Sequence, residues 1–310
     1  MSNLVFCLMG PTASGKTALA CEWVRELPCE IISVDSAMIY RGMNIGTAKP
    51  DLHVLQQAPH HLIDICTPDQ HYSVAAFCEE AWAMCEAVRG RGHIPLFVGG
   101  TMMYFRALQQ GLSPLPPADV SIRAELMLKH KTHGAGFMYA WLQRVDPESA
   151  LRLHPNDTQR IQRALEVHQI TGMPLSVFLA QKSMQSQVRF MNIGLFPTRR
   201  AWLHARIACR FEAMLSAGLI EETSSLISQW ALTAAHSSMR CVGYRQVFDY
   251  LHGQIDYAAL SEKGTAATRQ LAKRQLTWLR SWPNMQLYDA ENPACSSAIL
   301  SYARKIIDNG

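Results

Sequence analysis

No stretch of this 310-residue chain stays apolar for the ~20 residues that a membrane-crossing helix needs, so no membrane span is expected. It also lacks internal repeats and low-complexity segments, which sets aside solenoid and fibrous architectures. Charged residues are scarce at 17% against 48% hydrophobic, a balance that excludes wholesale disorder. Cysteine occurs nine times, an odd and scattered set without a Cys-x2-Cys pair or a Cys/His ligand spacing. Neither a disulfide framework nor a zinc module is expected, and reduced core thiols fit best. The start, Met1-Ser2-Asn3, has no basic segment and runs straight into apolar residues, so no signal peptide is expected and the chain is assigned to the cytoplasm. Histidine is frequent, but in the adjacent pair His60-His61 neighbouring side chains seldom converge on one ion, and no metal role is expected there.

What the chain does contain is a phosphate-binding signature. Gly10-Pro11-Thr12-Ala13-Ser14-Gly15-Lys16-Thr17 matches Gly-x4-Gly-Lys-Ser/Thr and follows the apolar run Leu4–Met9, which reads as a buried strand. Glycines let successive backbone N–H groups turn inward on an anion. The following helix adds its positive end, and Lys16 adds a full charge. Thr17 is the residue placed to hold Mg2+ through its hydroxyl. The loop predicts a bound polyphosphate without saying which bond breaks.

The first hundred residues alternate short apolar runs with helical patterns, as a parallel sheet with crossover helices does. Strands are expected at Leu4–Met9, Glu30–Val34 and Ile94–Val98, each ending in a polar or Gly-rich turn. The turns are the phosphate loop, Asp35-Ser36-Ala37 and Gly99-Gly100-Thr101, and in an open α/β sheet they meet around one crevice. The Pro-rich stretch 112–117 marks a boundary. Helices are expected over 121–131, 136–144, 147–153 and 158–171, then a returning strand at 190–196, mostly helix over 198–281, a strand near Met285–Tyr288 and a terminal helix. The expected organisation is an α/β core, 1–117 with 188–310, interrupted by a helical insertion, 118–187. Charge follows the same division. Lys and Arg against Asp and Glu number 7 and 11 in residues 1–120, 13 and 5 in 121–210, and 9 and 9 in 211–310, giving −4, +8 and 0. A basic middle third beside an acidic phosphate-binding half suggests a polyanionic partner larger than a nucleotide.

Several side chains stand out. Asp35, at the end of the second strand, suits either a cap for the next element or a general base beside a polyphosphate. Thr101 stands where ordinary P-loop hydrolases commonly carry an acidic Mg2+ ligand, which weakens a simple ATPase reading. Gln159, Arg160 and Arg163 lie early on a capped helix, and Arg160 and Arg163 share a face. The alternative is a solvated face with Arg163 paired to Glu166. Arg123 opens an earlier helix of the same block. Arg240-Cys241-Val242-Gly243-Tyr244-Arg245 sets two guanidiniums around a glycine and an aromatic ring, a combination that suits phosphate contact and base stacking on single-stranded RNA.

With these residues laid out, nearly the whole chain resembles the bacterial tRNA dimethylallyltransferases, also called tRNA isopentenyltransferases. The resemblance rests on the 10–17 loop, Asp35-Ser36-Ala37, Gly46-Thr47-Ala48-Lys49-Pro50, Pro59-His60-His61-Leu62-Ile63-Asp64, Tyr72-Ser73-Val74 and Gly99-Gly100-Thr101. It continues through Asn156-Asp157 with Gln159, Arg160 and Arg163, the 240–245 segment, and Arg274-Gln275-Leu276-Thr277-Trp278. It implies a P-loop NTPase-like parallel sheet with a tRNA-binding helical insertion and additional C-terminal helices. The implied reaction moves a dimethylallyl group from its diphosphate to N6 of an adenosine beside the anticodon, with Mg2+. By resemblance Asp35 is the base, Thr101 holds amine and carboxylate in line, and Lys16 with Gly10, Pro11, Thr12, Ala13, Ser14, Gly15 and Thr17 binds the diphosphate. The implied contacts to the tRNA anticodon stem-loop are Asp35, Ser36, Ala37, Met38, Thr101, Arg123, Gln159, Arg160, Ile161, Gln162, Arg163, Arg240, Cys241, Val242, Gly243, Tyr244 and Arg245. Met38 replaces a usual Gln, and Met102-Met103-Tyr104 replaces Gly-Leu-Tyr, so base recognition and the lining of the prenyl channel depart from the family pattern. The zinc finger of eukaryotic relatives is not expected, nor is an obligate protein partner; a monomer suffices. Two other readings remain from the residues alone: a P-loop kinase, with ATP in the loop, and a noncatalytic RNA-binding switch gated by nucleotide.

Overall fold

The computed structural model describes residues 3–181 and 188–309. Among the described residues, six parallel strands form one sheet: β1 (Leu4–Met9), β2 (Cys29–Val34), β3 (His60–His61), β4 (Ile94–Gly99), β5 (Arg189–Leu195) and β6 (Met285–Tyr288), in the order β3-β2-β4-β1-β5-β6. β1 and β4 are buried at every position, as continuous apolar runs require when helices cover both faces of a parallel sheet. Register decides what happens at their ends. Gly99 pairs with Met9 on one side and Val34 on the other, so β1, β4 and β2 finish level with one another. The three turns that follow therefore leave the sheet side by side, about 5 Å apart per strand.

The helices are α1 (Lys16–Glu26), α2 (Leu52–Gln57), α3 (Val74–Gly90), α4 (Met102–Gln110), α5 (Val120–Val145), α6 (Pro147–Arg152), α7 (Thr158–Thr171), α8 (Leu175–Ala180), α9 (Arg200–Ser216), α10 (Leu219–Trp230), α11 (Tyr244–Leu251), α12 (Tyr257–Arg280) and α13 (Cys295–Asp308). The described residues fall into two compact units, 3–107 with 188–309, and 108–181. In the first, Trp23 of α1 packs edge-on against Phe6 of β1 at 5.1 Å and joins Leu8, Ile31, Leu96, Ile193 and Ile299 in the core of the sheet. A second core in this unit gathers Tyr40 and Met43 with Phe211, Leu219, Leu226, Tyr244, Val247 and Leu260 from the C-terminal helices.

The second unit has its own small core of Leu126, Met138 and Leu142 against Ile161, Ala164 and Leu165. Buried Asp146 accepts N–H bonds from Ser149 and Ser176 and the Ser149 hydroxyl, so one carboxylate starts α6 and fixes α8. The span α5 holds the two expected helices, which meet at a kink at Gly134, whose φ of 80° and ψ of 175° lie outside the helical region. The Pro-rich segment belongs with this unit, because Arg163 Nη2 donates to the Pro116 carbonyl at 2.7 Å. The expected return of the chain to the sheet at 188 adjoins residues 182–187, which lie outside the described residues.

Candidate active site

The phosphate loop bridges β1 and α1. The Lys16 ammonium reaches back over it to donate to the Pro11 carbonyl at 2.6 Å. Desolvation and the Arg210 guanidinium pull the Lys16 ammonium down to about 7, against the opposing pull of the Asp35 carboxylate. α9 brings two arginines to the same place. Arg206 Nε donates to the Ala13 carbonyl at 2.8 Å while its guanidinium lies over the Trp202 ring, 4.7 Å from the centroid. Arg210, one turn on, donates to the Thr47 carbonyl at 3.2 Å. Burial lowers the Arg210 pKa, Asp35 opposes that, and Arg206 adds to it. Three basic groups thus crowd one loop, with the Asp35 carboxylate offsetting them, a field that an anion relieves. Within the loop the Ser14 hydroxyl is buried and has no partner among the described residues. Thr17 is half-buried in the first turn of α1.

Asp35 Oδ1 accepts the N–H of Ala37 at 2.8 Å and of Met38 at 3.3 Å, so it caps the turn after β2. Thr101 joins that turn to the end of β4. Its hydroxyl accepts the Ser36 N–H at 3.0 Å and donates to Ser36 Oγ at 3.3 Å, and its N–H donates to the Val34 carbonyl at 3.2 Å. Gln275, buried on α12, ties the phosphate loop to the same turn. Its Oε1 accepts the Thr12 N–H at 2.9 Å and its Nε2 donates to the Gly100 carbonyl at 2.9 Å. The approach leaves no room for a side chain at residue 100, where a Cβ would lie 2.3 Å from Gln275 Nε2. The three strand-end turns therefore meet as a bonded unit, with Asp35, Lys16, Arg206 and Arg210 around them.

Sequence reasoning missed Arg206 and Arg210, which belong to no recognisable motif. Their only signal was a four-residue spacing on a helix that follows a core strand. Gln275 lay within a family motif but had no role assigned to it.

The 240–245 segment reaches this neighbourhood through Cys241. Burial pushes its thiol up to about 12, with the Asp35 carboxylate adding to the shift. Arg240 and Arg245 are exposed. Tyr244 is not the stacking platform that the sequence suggested. Its ring is fully buried beneath Gly46, where a Cβ would lie 2.5 Å from the ring, and its hydroxyl donates to Glu222 at 2.6 Å.

In the helical unit, Arg123 and Arg163 both bind the buried Glu166 carboxylate, at 2.9 and 2.8 Å. Burial raises the Glu166 pKa, but the hydrogen bonds from Arg163 and Arg123 outweigh it and hold the group below its usual range. Both guanidiniums are thus committed to an internal partner. Gln162 donates to the Arg123 carbonyl at 3.3 Å. Ile161 is not a surface contact: it is buried in the core of this unit. Gln159 and Arg160 are exposed, and Arg160 lies 3.4 Å from Asp157.

His60 and His61 have separate partners. His60 Nδ1 contacts the Ala58 carbonyl, whereas His61 Nε2 lies 2.7 Å from Glu30, which Arg91 grips with two bonds. Among the described residues no group of three His, Cys, Asp or Glu side chains is arranged to hold a metal ion, and no helix is long and apolar enough to cross a membrane.

The family model of IPP transferases matches residues 38–282. Among curated proteins, the tRNA dimethylallyltransferase of Legionella pneumophila (strain Lens) is 56% identical over 100% of this chain and 99% of its own length. The full-length tRNA isopentenylpyrophosphate transferase of Bacillus halodurans superposes with a TM-score of 0.73 at 32% identity, covering 100% of this chain and 98% of that one. A eukaryotic dimethylallyltransferase acting on tRNA gives a TM-score of 0.83 over 99% of this chain and 80% of that one, and at 24% identity it bears on the fold alone. The family model spans most of the chain and the Legionella relative all of it, and the chain belongs to the IPP transferase family.

Proposed function

We propose that this protein transfers the dimethylallyl group of dimethylallyl diphosphate to the exocyclic N6 of the adenosine adjacent to the anticodon in tRNA, releasing diphosphate. The observation that carries this reading is one carboxylate, Asp35, set beside a loop ringed by Lys16, Arg206 and Arg210, with Thr101 rather than an acidic residue at the end of β4. The 10–17 loop and the three cations take the diphosphate. As the allylic C–O bond breaks, its electron pair leaves with the diphosphate, whose growing charge these groups offset. The N6 lone pair forms the new bond to the allylic carbon, and the Asp35 carboxylate accepts the N6 proton. An adenine amine is a poor nucleophile, and loss of that proton during attack is what makes a base useful. Thr101, bonded to Ser36, keeps the Asp35 turn in register with the end of β4.

Mg2+ fits these residues as an ion that arrives with the diphosphate. The hydroxyls of Ser14 and Thr17 are hard oxygen donors, but no carboxylate cluster stands by among the described residues to bind the ion without a ligand. Thr17 would hold it, and when bound it supplies further neutralisation of the leaving group. Exposed Gln159, Arg160, Arg240 and Arg245 are the groups proposed to meet tRNA phosphates, and the target adenosine leaves its stack to reach Asp35. A monomer working in the cytoplasm, where tRNA is found, satisfies this chemistry. The test is incubation with dimethylallyl diphosphate, Mg2+ and unmodified tRNA, followed by mass spectrometry of the nucleosides. A prenylated adenosine that needs all three components is expected. ATP consumption on small molecules with no such product would overturn the proposal.

A further inference from the structure

Two of the sequence motifs, Gly46-Thr47-Ala48-Lys49-Pro50 and the 240–245 segment, have no direct part in the chemistry above, yet one side chain joins them. Glu222 on α10 accepts four hydrogen bonds. Its Oε2 takes the N–H of Asn44 at 3.0 Å and of Ile45 at 2.8 Å, and its Oε1 takes the N–H of Gly46 at 3.3 Å and the Tyr244 hydroxyl at 2.6 Å. Three consecutive backbone amides converging on one carboxylate define the loop's conformation as a bound anion would. The next residue, Thr47, presents its carbonyl to Arg210 at 3.2 Å, and its hydroxyl is turned back onto the Met43 carbonyl at 2.7 Å. Arg210 in turn interacts electrostatically with both Asp35 and Lys16.

We propose that Glu222 is a positioning residue for the diphosphate site: it fixes the 44–47 loop, whose Thr47 carbonyl holds the Arg210 guanidinium beside Lys16 and Asp35. Arg210 carries several donors, of which the Thr47 carbonyl occupies one, leaving the rest to a diphosphate. Without Glu222, three loop amides lose their shared acceptor, the loop relaxes and the cation loses its fixed aim. Glu222 does not touch the diphosphate and acts only through the loop. The inference rests on the proposed function for its physiological ligand, but its test needs only the anion.

The experiment is a double-mutant cycle on inorganic diphosphate binding with Mg2+, read by titration calorimetry on the full chain, with thermal melts as a check on folding. Glu222→Ala is expected to weaken diphosphate binding about tenfold, the scale of one misplaced charge-assisted bond. Glu222→Gln, whose amide oxygen still accepts from Asn44 and Ile45, is expected to lose only about threefold. In an Arg210→Ala background neither substitution should weaken binding further. Losses that persist in that background, or a Glu222→Ala protein with wild-type affinity, would overturn the proposal. Should Glu222→Ala lose its melting transition, the Glu222→Gln arm of the cycle decides by the same criterion. Wild-type protein that forms no prenylated tRNA but shows the Arg210-dependent loss would sink the function and leave the clamp standing. Normal transfer with independent losses would sink the clamp alone.

Discussion

Gln275→Leu tests whether the meeting of the three turns is held together as described. The wild-type amide makes two buried bonds of 2.9 Å, one to the Thr12 N–H and one to the Gly100 carbonyl. Leucine is close in bulk but offers neither partner, so one donor and one acceptor are left without a bond. Each such buried group costs roughly 1–3 kcal/mol, and added apolar burial returns about 1 kcal/mol, for a net loss of about 3 kcal/mol. Spread over the unfolding entropy of the larger unit, that corresponds to a fall in Tm of about 6 °C. The loop is loosened as well, so KM for dimethylallyl diphosphate should rise more than kcat falls. Gln275→Glu is the informative companion. Its carboxylate still accepts the Thr12 N–H but sets an anion against the Gly100 carbonyl and beside the diphosphate loop, so its KM should rise further. Differential scanning calorimetry and steady-state kinetics read both effects. A Gln275→Leu protein whose Tm falls by no more than about 1 °C, with unchanged KM, would refute the claim that this amide ties the turns together.

Three further outcomes follow from the geometry. Lys16, lowered to about 7 by burial and Arg210, is largely neutral above that pH in the free protein and regains its proton when an anion binds. Affinity for dimethylallyl diphosphate should therefore fall as pH rises past about 7, and Lys16→Arg should flatten the profile; equal slopes would contradict this. Because the folded-state pKa of Glu166 is depressed, its contribution is full above the unfolded value of 4.5 and is lost as pH falls through the folded value. Glu166→Gln should remove that acid-labile part from pH-dependent melts. Glu166→Ala should cost about 3 kcal/mol, the low end for breaking a buried pair, because Arg123 is itself 45% exposed. Arg160→Ala should weaken tRNA binding and reduce the salt slope by about one in filter-binding titrations, whereas Ile161→Ala should lower stability with little change in that slope.

The sheet was legible wherever burial is continuous along the chain. β1 and β4 are apolar runs closed by glycine-rich turns, and that pattern reports burial on both faces directly. β3 escaped because two residues carry no periodicity. The loop at 10–17 and the carboxylate at 35 were readable because their spacing is local. Arg206, Arg210 and Glu222 were not, since the backbone groups they bond lie 163 to 193 residues away and no local pattern reports such contacts. Tyr244 was misread for a related reason. An aromatic ring among arginines looks like a stacking surface until Gly46, far away in sequence, turns out to cover it. Ile161 carried a usable signal, because Ile161, Ala164 and Leu165 follow helical spacing and mark the buried face of α7.

The central claim is that Asp35, at the end of β2, takes the amine proton on a site whose anion is held by the neighbouring loop. Single-turnover transfer, with saturating dimethylallyl diphosphate and tRNA, tests it in wild type and Asp35→Ala side by side. The account predicts that the variant binds both substrates yet forms prenylated adenosine about a thousandfold more slowly, within the range expected for loss of a general base. Product formation at the wild-type rate would contradict it.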